Sequence, residues 1–298
     1  MKRFEHICSF ATDNIALTDY CNGKQITYSQ ISEMMDVLLS KMCEAGIKKG
    51  DRIGIVNDNS IEWIVNLMST ITYGACAIVF PANSQISDLT NQANIKMMID
   101  EINGIYIDED NEHDWVSAVT DNTLSGNDEV IINYKTNNFG QTITQTITVQ
   151  DIAVATETVS EKYAGMRLTR NLTILTDGNN NATNLSDLLA SLSLGASITM
   201  VSKSDEDTIL KCIKKNRPHL INIESTIAEQ LIRKDILPLF STPMISSHTR
   251  RAFMKQVKKQ MMYGLGGCVL CLNVFGSKFS PDIEHLLQKI QFPYQIFA

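Results

Sequence analysis

The chain has 298 residues, 44% of them apolar and 20% charged, with a formal net charge of −7. That apolar share is enough for a packed interior and excludes disorder as the default state, while the acidic balance argues against a nucleic-acid partner. No apolar run reaches the roughly 18 residues that a bilayer-spanning helix needs, and residues 1–6 show no signal-peptide pattern, so a cytoplasmic location is expected.

In chain order, residues 15–19 and 25–28 flank an Asn22-Gly23 pair, which suits a tight hairpin. A helix follows, with Ile31, Met34, Met35, Leu38, Leu39 and Met42 on one face, Ser29 as a candidate cap and Gly46 as its stop. Residues 52–56 read as a buried strand, residues 60–73 as a helix, and residues 76–80 as a strand stopped by Pro81. A helix near residues 88–94 and strands at 96–99 and 104–107 continue the alternation, then an acidic, turn-rich connection spans 108–126. Strands are predicted at 129–132 and 142–149, the second with the threonine alternation of an edge strand.

The second half repeats the rhythm. Strands are predicted at 196–201, 219–223 and 268–275. Helices are predicted from Asp205 or Asp207, at 226–233, at 249–263, and from Ser280-Pro281-Asp282, where a cap, a first-turn proline and an acid coincide. Strand–helix alternation of this kind implies an α/β fold with mainly parallel sheets flanked by helices, in two subdomains, residues 1–150 and 151–298.

Conventional site signals are sparse. The seven cysteines, Cys8, Cys21, Cys43, Cys76, Cys212, Cys268 and Cys271, are odd in number and sit mostly in apolar patterns, which reads as reduced, buried thiols. Cys268 and Cys271 have C-x-x-C spacing but no second pair. The five histidines are isolated, and no nucleophile elbow, Walker loop or dinucleotide fingerprint occurs, so no catalytic residue and no metal site is expected. The basic residues of 250–259 read as a solvated helix face.

Several segments, taken in order, resemble the N-terminal part of the adenylate-forming superfamily, and most closely its long-chain fatty-acid–CoA ligases. Gln25-Ile-Thr-Tyr28, residues 46–55 (GIKKGDRIGI), Asn59-Ser60 with Trp63, Gly74-Ala75, Gly266-Gly267, residues 279–284 (FSPDIE) and residues 290–294 (IQFPY) each match a family segment. The resemblance implies an acetyl-CoA-synthetase-like fold and a reaction that activates a carboxylate with ATP and magnesium before transfer to CoA. It places residues 156–165 (TETVSEKYAG) where the family has its phosphate loop, Thr-Ser-Gly-Thr-Thr-Gly-x-Pro-Lys-Gly.

In that register Thr156, Ser160 and Gly165 are the remnant cofactor-binding residues, and the loop is expected to be irregular. Thr158 and Glu161 replace glycines, and Ala164 replaces the lysine, so the phosphate chemistry is degenerate. Residues 168–182 resemble a family helix shortened by deletion, and Gly276-Ser277-Lys278 stands where the family has Gly-Gly-Ala. The sequence stops at Ala298, before the family's adenine-stacking tyrosine, magnesium ligand and C-terminal catalytic lysine. The expectation is a domain that is not catalytic alone and needs no cofactor of its own. The readings left open are a ligase domain, a degenerate module for an acyl group, a nucleotide or a protein partner, and a structural partner or homodimer.

Overall fold

The computed structural model describes residues 13–58, 60–81, 93–105, 117, 123–136, 142–162, 170–174, 182–201, 205–240 and 250–297. The chain divides into two compact units: Met1–Leu17, Gln25–Met166 and Asn180–Gly195 form the first, and Thr18–Lys24, Arg167–Asn179 and Ala196–Ala298 the second. The expected boundary at 150/151 is thus displaced, and the chain returns to the first unit at Asn180–Gly195.

Strands β1 (Ile15–Asp19) and β2 (Gln25–Thr27) are joined by a turn in which Asp19 does the organising. Its carboxylate accepts from the N–H groups of Cys21 and Asn22 at 3.0 and 3.1 Å, and Gly23 takes φ +70°. Helix α1 (Tyr28–Glu44) begins two residues earlier than the Ser29 cap predicts. Thr27 is the cap: Gln30 N–H donates to its hydroxyl at 3.2 Å, and Gln30 Oε1 accepts from Thr27 N–H at 2.9 Å. Gly46 ends the helix at φ +65°, as its position predicts.

Strand β3 (Arg52–Asn57), helix α2 (Ile61–Tyr73) and strand β4 (Cys76–Pro81) follow within one residue of the predicted limits, Pro81 being the last residue of β4 rather than its stop. Ser60 caps α2 by accepting from Trp63 N–H at 3.0 Å, and Gly74 closes it at φ +91°. The helix is buried almost all round, with Trp63 only 1% exposed. Burial pushes the Cys76 thiol up to about 12, so it stays a neutral core residue. The helix expected near 88–94 falls largely outside the described residues. Residues 97–103 form a short strand β5 (Met97–Met98) and helix α3 (Ile99–Asn103).

Strands β6 (Glu129–Thr136) and β7 (Thr142–Thr148) form an antiparallel pair. The first unit's five-stranded sheet has the order β5-β3-β4-β6-β7, parallel except at that last pair. β7 is its edge strand, in agreement with the threonine alternation.

Helix α4 (Val149–Lys162) corrects the sequence reading. Residues 156–162, expected as an irregular loop, are its C-terminal half. The helix starts from a reciprocal cap: Asp151 accepts from Thr148 N–H and hydroxyl at 2.7 and 2.8 Å, while Thr148 Oγ1 accepts from Asp151 N–H at 3.2 Å. Its threonines fold back on the helix, Thr156 and Thr158 donating to the carbonyls of Ile152 and Val154 at 2.8 Å. Residues 170–174, read as part of a truncated helix, are strand β8 (Arg170–Ile174). Helix α5 (Ala182–Ser193) follows.

The second unit carries strand β9 (Ser197–Val201), helix α6 (Glu206–Asn216), strand β10 (Leu220–Glu224), helix α7 (Ser225–Leu231), a π-helical turn Ile232–Ile236, helix α8 (Arg250–Gly264), strand β11 (Cys271–Phe275), helix α9 (Pro281–Lys289) and strand β12 (Tyr294–Phe297). The seven-stranded sheet has the order β12-β11-β10-β8-β9-β1-β2, with every pairing from β12 to β9 parallel. Its core gathers Ile221, Ile223, Leu272 and Val274 of the strands with Ile213, Leu231, Met261 and Leu287 of the helices.

Two polar devices hold the helices in place. Glu229 accepts from the Ser280 hydroxyl at 2.6 Å and from Arg233 at 2.9 Å, and Arg233 also pairs with Asp282 at 2.8 Å, clamping α9 to α7. Burial would raise Glu229, but the Ser280 hydroxyl, the Ser280 N–H and Arg233 outweigh it and hold the carboxyl low. The second device follows α8, where Gly266 sits at φ +84° and a Cβ there would stand 2.8 Å from the Ile213 carbonyl oxygen. Gly266→Ala therefore combines left-handed strain with a backbone clash and should cost about 1–3 kcal/mol in urea unfolding; a change within experimental error would contradict this account of the turn.

Candidate functional site

Because β8, β10, β11 and β12 run parallel in sequence register, their carboxyl ends lie along one edge of the seven-stranded sheet. Ligand sites of open α/β sheets form at such edges, where side chains and turns are free of the ladder. One sheet face supplies the hydrophobic core described above. The alternate residues, on the other face, are polar in one row and aromatic in the next. Thr173, Asn222, Asn273 and Gln295 share a register row, and Glu224, Phe275 and Phe297 form the row beyond it, at the carboxyl end.

The polar row is costly to bury unless satisfied. Asn222 and Asn273 are 1% and 3% exposed, and Asn273 Nδ2 donates to Asn222 Oδ1 at 2.9 Å. The Cys271 thiol donates to Asn273 Oδ1 at 3.4 Å, which gives the second cysteine of the C-x-x-C pair a structural role. Beyond this row the Phe275 and Phe297 rings stack with centroids 5.2 Å apart. Gly276 leaves the sheet at φ +98° and donates its N–H to the Phe297 carbonyl at 3.0 Å. A Cβ there would lie 3.5 Å from Ser225 Oγ, and Ser225 and Ser277 place their hydroxyl oxygens 3.0 Å apart.

Gly276, Ser277 and Lys278 are exposed, whereas Ser225 is buried. The edge thus offers two hydroxyls, a backbone turn, an aromatic stack, Glu224 and a lysine. This inventory suits hydrogen bonding and stacking. Among the described residues no group of three His, Cys, Asp or Glu side chains could hold a metal ion.

Of the expected remnant residues, two fall on a described element. Thr156 and Ser160 lie on helix α4 of the first unit, in the helical half where backbone N–H groups are already committed to the preceding turns. Gly165 and Ala164 fall outside the described residues. Residues 175–181, which connect β8 to α5, also fall outside the described residues. Gly276-Ser277-Lys278, matched to Gly-Gly-Ala in the sequence, does stand at the edge. Ser225 and the stacked phenylalanines were not anticipated; their signal is simply that each sits at the carboxyl end of a parallel strand.

A family model for AMP-binding enzymes matches residues 4–159. The chain belongs to the AMP-binding enzyme family.

Relatives of this AMP-binding chain include a medium/long-chain-fatty-acid–CoA/3-oxocholest-4-en-26-oate–CoA ligase of Mycobacterium marinum, 32% identical over 74 residues, which is 25% of this chain and 13% of that protein. The mouse long-chain-fatty-acid–CoA ligase ACSBG2 is 31% identical over 86 residues, 27% of this chain and 13% of that protein. The matched stretch therefore spans about an eighth of either relative. The solved Klebsiella oxytoca NpsA N-terminal subdomain, in complex with 3-hydroxybenzoyl-AMSN, aligns over 99% of this chain and 71% of its own at TM-score 0.67 and 15% identity. The Bacillus subtilis o-succinylbenzoate CoA synthetase, bound to its product analogue, aligns over 98% of this chain and 57% of its own at TM-score 0.69 and 12% identity. At these identities the structures establish the fold: this is the α/β architecture of the N-terminal region of adenylate-forming enzymes, and the domain is acyl-CoA-ligase-like.

The buried asparagine pair at the base of the edge is open to test. Asn273→Val strands a buried polar partner and should cost about 1–3 kcal/mol, whereas the double change Asn222→Val with Asn273→Val should cost less than the sum of the two single changes. Additive losses in chemical denaturation would show that the two side chains are not coupled.

Proposed function

We propose that this acyl-CoA-ligase-like domain has lost adenylation and retains a weak site for the adenosine or acyl portion of a ligand at the carboxyl edge of the seven-stranded sheet. Adenylation couples attack of a carboxylate on the α-phosphate of ATP to departure of pyrophosphate. The charge that builds on the leaving phosphates must be met by fixed donors, and that stabilisation supplies most of the catalysis.

The observation that carries the reading is the absence of any lysine from residues 163–202. That stretch brackets β8, and the family's loop lysine falls within it under either placement of the motif. Started at Thr156, the motif puts Ala164 at the lysine; started at Thr176, after β8, it puts Asn184 there and leaves Gly178 as its sole glycine. Arg170 opens β8 at the amino end, away from the edge where the nucleotide would sit. Moving the motif one element along, to the connection after β8, does not restore its chemistry.

The aromatic stack and the paired hydroxyls support retention of a binding surface. A flat base or an acyl thioester would lie against Phe297, backed by the buried Phe275 ring, with the exposed Ser277 hydroxyl, held by the buried Ser225, as donor. On this reading the ligand is acyl or nucleotide in character, binding has no magnesium dependence, no CoA thioester forms, and the domain works in the cytoplasm, beside the acyl-group metabolism of its fatty-acid–CoA ligase relatives.

ATP–pyrophosphate exchange with a panel of long-chain, short-chain and aromatic acids tests the loss. Each missing phosphate donor costs about 10²–10³ in rate, so no exchange above background is expected with any acid. Measurable exchange with one of them would overturn the reading.

A further inference from the structure

The β6–β7 pair reaches beyond its own sheet. β4 pairs with β6 at Ile131, Ile132 and Asn133, while the antiparallel pairing of β6 with β7 continues through Tyr134–Thr144, Lys135–Ile143 and Thr136–Thr142. The outer end is a two-stranded ribbon, an arrangement of marginal stability by itself. Ile143 is 47% exposed, and Thr144, Gln145 and Thr146 are exposed as well.

β7 also carries little of the usual edge protection: the bulge of its pair lies on β6, between Glu129 and Ile131, opposite the inner end of β7. Natural sheets blunt their edges with charges, prolines, bulges or very short strands. β7 is seven residues long, and residues 141–150 contain no charged residue and no proline. Among the described residues no strand lies beyond it in the sheet. Alternate residues of such a strand direct N–H and C=O groups away from β6.

The sequence of the strand says what fits. Thr-Ile-Thr-Gln-Thr-Ile-Thr reads the same in both directions about Gln145. An isologous two-fold dimer pairs residue i with j and j with i. With the axis at Gln145, an antiparallel second copy sets Thr142 against Thr148, Ile143 against Ile147, and Thr144 against Thr146, each twice. Every cross-strand pair is then like with like: β-branched isoleucines meet isoleucines and threonines meet threonines, combinations that stabilise antiparallel sheets. The lack of charge means that no like-charged residues oppose one another at the axis.

We propose that β7 is a homodimerisation edge, joining two copies of this chain through antiparallel strand addition about Gln145 and so continuing each five-stranded sheet into its partner's. The occupant is a second copy because the palindrome is complementary to itself. The interface is independent of any nucleotide or acyl site.

The register makes the test specific. Sedimentation velocity on the 298-residue chain, from about 1 to 100 μM, should show a reversible monomer–dimer equilibrium, because one strand pairing supports affinity in that range. T144K/T146K sets like charges opposite each other at both pairs and should weaken the dimer at least about tenfold. T144K/T146E sets opposite charges there and should keep the dissociation constant within about threefold of the parent. T144E/T146E is a second disrupting variant, and far-ultraviolet circular dichroism confirms that each variant is folded. Mixing T144K/T146K with T144E/T146E should produce a heterodimer. A parent chain that stays monomeric at the highest concentration, a dimer indifferent to both like-charge variants, or equal weakening by T144K/T146K and T144K/T146E would each overturn the proposal.

Discussion

The in-register parallel pairing of β10 with β11 is the constraint on which the second unit depends. It sets Asn222 beside Asn273, Ile223 beside Val274 and Glu224 beside Phe275. A slip of one residue would turn the isoleucines and valine out of the core and drive the asparagines into it. The hydrogen bond between the two asparagines adds a directional element to a sheet whose other face is apolar and tolerant of sliding. With that register in place, the carboxyl ends of four strands arrive together, and Gly276 can turn past Ser225 while the Phe275 and Phe297 rings stack.

Much of this was legible in the sequence where local chemistry and periodicity agreed. Ser60 opens α2, Asp205 caps α6, and Pro281 sits in the first turn of α9, as a reading of helix starts predicts. The unread parts share one cause. Helix α4 is rich in valine and threonine, so its composition spoke against a helix, and the decisive signal was the reciprocal cap between Thr148 and Asp151. Strand β8, with arginine, asparagine and threonine among its five residues, shows no clean alternation, because its place between β9 and β10 is set by tertiary pairing. Missing those two elements let residues 156–162 be read as a loop and residues 170–174 as part of a helix.

Among the described residues, the core of the second unit is assembled from strands β9 to β11, their flanking helices and the residues just after them. On the proposed reading, loss of the loop's glycines and lysine removes the phosphate chemistry and leaves this packing in place. Among the described residues the edge has hydroxyls and aromatic rings, which on the proposed reading receive the base, ribose or acyl part of a ligand.

Isothermal titration with adenosine, AMP and ATP, with and without magnesium, separates these contributions most directly. The account predicts that ATP with magnesium binds no tighter than adenosine, because no lysine in residues 163–202 is there to clamp the triphosphate. ATP binding at least about tenfold tighter than adenosine, a difference of about 1.4 kcal/mol, and dependent on magnesium, would contradict it.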